Sequence, residues 1–309
     1  MAISIAEVSS TGTDLRGQAG LDAITRRFLA WSDEAADIGI QTRAVLSSVR
    51  DDPTAQAATA SARAHFDRTG LTGNGSLMRT APIALAYLHD PEGRREAARS
   101  VSSLTHGDEE AGEACALWCD TIAHAVLHGT LDGLRLSVAS LPHERADVWT
   151  ARLDAAEALL PHEIAHNGWV VAALMAAWSA IRHTPIPGDD PANGTFAAQH
   201  LEHALDAAVR AGNDTDTVAA IAGGLLGGRW GVSAIPQSWQ RVVHGWPGLR
   251  MRDLIRFGLL TAQGGQPDSS GWPLAPVQDY TSYRNTDVLA PHPRDSEVLL
   301  GGVGPLRLL

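Results

Sequence analysis

Apolar residues along most of this chain recur every three or four positions, the spacing that gathers side chains on one face of an α-helix. Residues 1–8 carry apolar side chains at positions 1, 5 and 8, with no capping residue ahead of them, so the segment reads as the middle of an element. Leu21, Ile24, Phe28 and Trp31 continue the spacing to a stop at Asp37-Ile38-Gly39, where glycine suits a helix end. Residues 53–68 read as another helix, with Pro53 in its first turn and Gly70 just past its end. Ala111, Cys115, Trp118, Ile122 and Val126 mark a long helix after the stop at Thr105-His106-Gly107-Asp108. Residues 163–182 repeat the pattern through Trp169, Ala173, Ala176, Ala177 and Ile181, and residues 196–210 through Leu201, Leu205, Ala208 and Val209. Small residues at these positions let helices approach closely. No comparable period-two run appears, so the pattern predicts an all-α fold.

Three stretches break the periodicity. Residues 71–83 place two glycines and two hydroxyl side chains in Leu-Thr-Gly-Asn-Gly-Ser, which reads as a loop. Residues 211–218, Ala-Gly-Asn-Asp-Thr-Asp-Thr-Val, fall between a helix that stops at Gly212 and another that starts at once. From about residue 265 onward Pro267, Pro273, Pro276, Pro291 and Pro293 exclude sustained helices. The chain therefore divides into a helical domain, residues 1–262, and a Pro/Gly-rich extended tail, residues 263–309. Residues 297–303 fit a short strand or the start of a further module. No period marks a solenoid.

Composition narrows the function classes. With 309 residues the chain can bury a sizeable core, and its apolar share of 44% contains few aromatics, which favours Ala- and Leu-rich helix packing. A formal charge of -11 with only 24 Lys and Arg, none clustered, argues against a nucleic-acid partner. No run is apolar enough for a membrane span or a signal core, so a cytoplasmic protein is expected. Cys115 and Cys119, the only cysteines, read as buried thiols rather than a disulfide or zinc site.

The acidic turn is the richest chemistry in the chain. Capping alone would need one of its oxygens, because a single Asp214 or Thr215 side chain can accept from the free N–H groups of a helix start. Asp214, Asp216 and Thr217 together offer five side-chain oxygens within one turn, the outline of a hard-cation site. In the glycine loop, Asn74 and Ser76 add hydrogen-bonding groups where Gly73 and Gly75 leave room for a ligand. His106 stands at a helix start and could donate to an anionic group. His162, His166, His200 and His203 lack a zinc-binding arrangement and receive no role.

Taken in order, these stretches resemble the ADP-ribosylglycohydrolase family of the dinitrogenase reductase-activating glycohydrolase type. The resemblance spans about residues 15–260. It runs from Phe28 to Trp31 with Asp37-Ile38-Gly39, through Gly73-Asn-Gly-Ser-Leu-Met-Arg-Thr-Ala-Pro82 and Thr105-His106, to Gly212-Asn-Asp-Thr-Asp-Thr217. From there it continues through Ala220-Ile-Ala-Gly-Gly-Leu-Leu-Gly227 to Ala234-Ile-Pro236 and Trp239. It implies a compact multi-helix bundle in which Asp214, Asp216 and Thr217 bind Mg²⁺, or Mn²⁺, in a two-metal site. It also implies that Asn74, Gly75, Ser76 and His106 contact ADP-ribose. The implied activity is hydrolysis at the anomeric carbon of ADP-ribose on a modified protein or small molecule. The family carries a Gly-Asp-Ala-type turn and a Thr-Asp-Asp-Thr motif just before a helix resembling residues 1–8. The resemblance therefore implies that the N-terminal metal motif is missing and the activity of this chain impaired. A catalytically inactive ADP-ribose-binding module is the alternative. No catalytic residue is singled out.

Overall fold

The computed structural model describes residues 1–273, which form fourteen α-helices, five short 3-10 turns and one pair of two-residue strands. The first four helices are α1 (Ala2–Ser9), α2 (Gln18–Glu34), α3 (Ile40–Ser48) and α4 (Ala55–Thr69). After the glycine loop come α5 (Ala81–Ala86), α6 (Pro91–Ser103), α7 (Glu109–His128), α8 (Gly133–Ala139) and α9 (His143–Ala158). The remainder is α10 (Val170–His183), α11 (His200–Val209), α12 (Thr215–Trp230), α13 (Gln237–Val242) and α14 (Met251–Ala262). The antiparallel strands His244–Gly245 and Leu249–Arg250 sit between α13 and α14. The all-α expectation holds, and no helix among the described residues is long and apolar enough to cross a membrane.

α7 is the axis of the bundle, packed by α5, α6, α8, α10 and α12. Thirteen of its twenty residues are buried, from Ala111 and Gly112 to Ile122 and Ala125, as expected of a helix whose middle is enclosed by its neighbours. Trp118 is almost fully buried, and its indole Nε1–H donates to the Ile221 carbonyl of α12 at 3.0 Å, so the largest side chain in the middle of the core leaves no polar atom unmet. Both cysteines are free and buried here. Burial pushes both thiols up, so neither supplies a thiolate. Polar groups also cross the interior: Arg94 Nε donates to Asp120 Oδ1 at 2.7 Å with both side chains buried, and Arg95 and Ser137 share the same carboxylate. This pairing ties α6, α7 and α8 together.

Helix starts follow the capping chemistry only in part. Thr54, Asp90 and Asp108 accept from the backbone N–H groups of Ala57, Gly93 and Ala111. Pro53 therefore lies one residue before the cap of α4 and not in its first turn. The helix expected over residues 163–182 begins only at Val170, because Trp169 forms a β-bridge with Gly73 and Val170 N–H donates to the Thr72 carbonyl. Trp169 is thereby drawn off the buried face and left 39% exposed. The segment starting at Phe196 makes a 3-10 turn first, and α11 begins at His200, leaving Phe196 exposed as well. α14 ends at Ala262, and residues 263–273 turn back so that Gly265 meets the backbone of Thr11 and Gly12. Pro276, Pro291, Pro293 and the 297–303 segment lie outside the described residues.

Candidate functional site

Two asparagines lace three remote loops together. Asn74 Nδ2 donates to the Asn167 carbonyl at 2.8 Å and to Asp214 Oδ2 at 2.7 Å, while its backbone N–H donates to the Gly168 carbonyl at 3.1 Å. Asn167, fully buried, returns the contact: its Nδ2 donates to the Gly212 carbonyl at 2.9 Å and its Oδ1 accepts from Asp214 N–H at 3.1 Å. Gly212 and Asn213 both adopt left-handed φ angles, +78° and +57°, which let α11 hand over to α12 within a few residues. The sequence placed Asn74 and Asp214 in separate candidate stretches, and the fold brings them into direct contact.

At this junction Asp214 occupies the N-cap position of α12, yet its side chain makes no capping hydrogen bond. Its Oδ2 accepts from Asn74 Nδ2 instead, so capping does not account for it. Asp216 is exposed in the first turn, and Thr217 is buried, its hydroxyl donating to the Met78 thioether at 3.6 Å. A thioether is a weak acceptor. Asp214 Oδ1 and both oxygens of Asp216 take no hydrogen bond among the described residues, so free hard oxygens stand at the positive end of a helix. This donor set fits a divalent cation that keeps several waters. Among the described residues no cluster of three or more His, Cys, Asp and Glu side chains is assembled, so the acid pair is not joined by a third such ligand.

Across the loop from the acid pair, Ser76 is buried with its hydroxyl accepting from Cys115 Sγ at 3.5 Å, which turns the side chain toward the core. The backbone N–H groups of Gly75 and Ser76 donate to no protein acceptor among the described residues. They form a small backbone donor pair of the kind that receives anionic oxygens. His106 lies beneath this loop: a side chain at Gly75 would come within 3.2 Å of His106 Cε1, so the close approach of ring and backbone requires glycine there. His106 precedes the α7 cap Asp108 by two residues and is buried. Burial first, then the charge of Arg79, then His65, pushes its pKa down to about 3, so the ring is neutral at physiological pH.

Three residues that sequence reasoning passed over complete the site. Asn167 fell inside the helix expected over residues 163–182, whereas it precedes α10 and lies in the loop before Val170. Gln41 bridges the loop to the His106 segment, accepting from Gly73 N–H at 3.3 Å and donating to the Thr105 carbonyl at 3.2 Å. Arg79 is fully buried, its guanidinium 4.6 Å above the Phe28 ring, with no carboxylate partner among the described residues. Burial alone lowers its pKa to about 10.

Beside His106 a cavity of about 400 Å³ opens between α6 and α7, lined also by Arg99, Ser103, Gly107, Asp108, Glu109, Gly112 and Glu113. Of the candidate residues only His106 borders it, and the acid pair is not part of its lining. Asp108 presents one oxygen to the Ala111 N–H, and its second is buried without a partner, with the carboxyl pKa raised by burial.

Helices packed round a glycine loop, an acidic helix start and a buried histidine define an all-α protein whose candidate site residues meet at loop and helix-end junctions. The family it falls in is fixed by comparison: the ADP-ribosylglycohydrolase profile matches residues 1–268, and the chain belongs to that family. It is 27% identical over 210 residues to ADP-ribosylhydrolase ARH3 of Homo sapiens, the match covering 60% of this chain and 57% of that protein. It is 25% identical over 170 residues to the ADP-ribosyl-[dinitrogen reductase] glycohydrolase of Rhodospirillum rubrum, covering 55% of this chain and 50% of that enzyme. ADP-ribosylarginine hydrolase Tri1 of Pseudomonas putida is 29% identical over 169 residues, with 54% of this chain and 41% of Tri1 covered. The chain thus spans about half the length of the curated relatives it matches. A solved structure described as an ADP-ribosylglycohydrolase-related protein complex superposes with a TM-score of 0.59 at 26% identity, over 86% of this chain and 80% of that one.

Proposed function

We propose that this protein is a metal-dependent hydrolase that releases ADP-ribose from a modified protein or small molecule by cleaving the bond at the anomeric carbon. The observation that carries this reading is the Asn74–Asp214 contact, which joins a ligand-binding loop to an acid pair with free oxygens. Family membership supplies the substrate class. The free N–H groups of Gly75 and Ser76, with His106 below them, would bind the diphosphate. Asn74 holds Asp214 in a fixed direction, and Asp216 and Thr217 complete the oxygen set. Asp214, Asp216 and Thr217 would hold Mg²⁺ or Mn²⁺, which when bound supplies Lewis acidity at the ribose hydroxyls and the attacking water. Departure of the leaving group builds oxocarbenium character at the anomeric carbon.

A second reading is a module that binds ADP-ribose without turning it over. It is favoured by the missing third acidic or histidine ligand near Asp214 and Asp216 among the described residues. On either reading three side-chain donors on one turn hold a cation weakly. Release of free ADP-ribose from ADP-ribosylated protein, followed with and without Mg²⁺, separates the two. Metal-stimulated turnover lost in Asp216→Ala supports the hydrolase, whereas tight ADP-ribose binding with no turnover supports the module. Neither binding nor turnover would overturn both.

A further inference from the structure

The hydroxyl of Thr105 lies between a guanidinium and an imidazole. Its Oγ1 accepts from Arg79 at 2.8 Å and is 2.8 Å from His106 Nδ1. A guanidinium can only donate, so Thr105 spends a lone pair on Arg79 and its own proton is free for a different partner. Thr105 is fully buried, and His106 Nδ1 is the acceptor within reach. A buried hydroxyl proton is rarely left unpaired. An accepting Nδ1 carries no proton, which leaves the proton of the neutral ring on Nε2.

Nε2 is the edge of the ring that faces the glycine loop. Side chains at Gly73 and Gly75 would come within 3.5 and 3.4 Å of it. The ring also borders the 400 Å³ cavity between α6 and α7. Arg79 is anchored independently: it donates to the Val101 carbonyl at 3.0 Å and stacks on Phe28, so its direction does not depend on Thr105. A fixed donor therefore orients the hydroxyl, and the hydroxyl orients the imidazole.

We propose that Arg79 and Thr105 are positioning residues that hold His106 as the Nε2–H tautomer, so that the ring presents one neutral donor to a phosphate oxygen seated on the glycine loop. The identity of that ligand rests on the ADP-ribose reading above; the tautomer does not. Two cations so close would repel, and the groups that face the ring, Arg79 from the turn after the glycine loop and His65 from α4, both disfavour the imidazolium. The donor at neutral pH is therefore supplied by tautomer choice and not by protonation.

The test uses the full chain labelled with ¹⁵N at histidine, with the His106 signals assigned by their loss in His106→Asn. In wild type and in Thr105→Ser, which keeps the hydroxyl, the spectra should show a protonated Nε2 and a bare Nδ1. In Thr105→Val, which keeps the shape, the His106 signals should shift to a mixture or to Nδ1–H. An Nδ1–H ring in the wild type would overturn the relay. Calorimetric titration with ADP-ribose should then show about a three- to tenfold loss of affinity in Thr105→Val, the size of one net hydrogen bond, with recovery in Thr105→Ser. Unchanged affinity in Thr105→Val despite a changed tautomer would overturn the donor role. A wild type that holds Nε2–H but binds no ADP-ribose would uphold the relay and count against the functional reading alone.

Discussion

His106 and Asp216 are both candidate site residues, and the fold treats them in opposite ways. His106 is buried, held through Thr105 by Arg79, and pressed against glycine backbone. Asp216 stands exposed in the first turn of α12 with no hydrogen bond among the described residues. Asn74 and Asp214 form the seam between these two halves. The difference suggests a division of labour: the loop side is pre-formed and rigid, as binding a defined ligand requires, whereas the acid side keeps its oxygens open for chemistry.

The sharpest test of that division is Asp216→Ala. On the proposed mechanism ADP-ribose release should fall at least about a hundredfold, because the substitution breaks the oxygen set assigned to the cation. Thermal unfolding should shift by no more than the equivalent of about 0.5 kcal/mol, as for other exposed sites. A folded variant with wild-type turnover would remove the acid side from the mechanism.

Asn74→Ala should behave differently, because it strikes the seam. It deletes two side-chain hydrogen bonds and leaves the Asn167 carbonyl without its donor, which should cost about 1–3 kcal/mol of stability as well as activity. Denaturant titration checks this, and an unchanged midpoint would mean that the loops are held together by other contacts.

The neutral state of His106 makes a pH prediction. Below about pH 6.5 the unfolded histidine takes up a proton, while the folded ring stays neutral down to about 3. The unfolded state therefore binds more protons in that window, and stability is lost as pH falls from about 6.5 toward 3. Urea midpoints measured across this range should fall less steeply in His106→Asn than in wild type. Parallel slopes would show that other groups control the acid limb.

The smallest effect is expected at Thr217→Val. The hydroxyl donates only to a thioether, so stability should change by less than about 0.5 kcal/mol. Mg²⁺ affinity, read by calorimetry, should nevertheless weaken, and an unaltered metal isotherm would exclude Thr217 from the cation site.

What could be read from the sequence depended on how local the physics was. α7 was legible because Ala111, Cys115, Trp118, Ile122 and Val126 keep an apolar period over about four turns. α9 went unread although its buried residues Trp149, Leu153 and Ala156 keep the helical spacing, because only three positions carry it among charged neighbours, and α6 hides an arginine, Arg94, in its buried face. The acidic turn and the glycine loop announced themselves by composition, and their family resemblance linked them. Their contact could not be read locally: Asn74 and Asp214 are 140 residues apart, and the cross-link runs through Asn167, which the apolar pattern placed inside a helix. Trp169 was misplaced on a buried helix face for the same reason, since its bridge to Gly73 is a long-range pairing.

α1 has a consequence for how the molecule comes apart. An eight-residue helix without a side-chain cap has almost no stability in isolation. Here it is buried along nearly its whole length, packed by α2, α5 and α14, with Ser9 hydrogen-bonded to Thr261 at 2.9 Å and Glu7 paired with Arg27. Segments from opposite ends of the described chain therefore share one cooperative unit. Amide hydrogens in α1 should exchange with solvent as slowly as those of α7, through global opening, where fraying would otherwise release them in seconds.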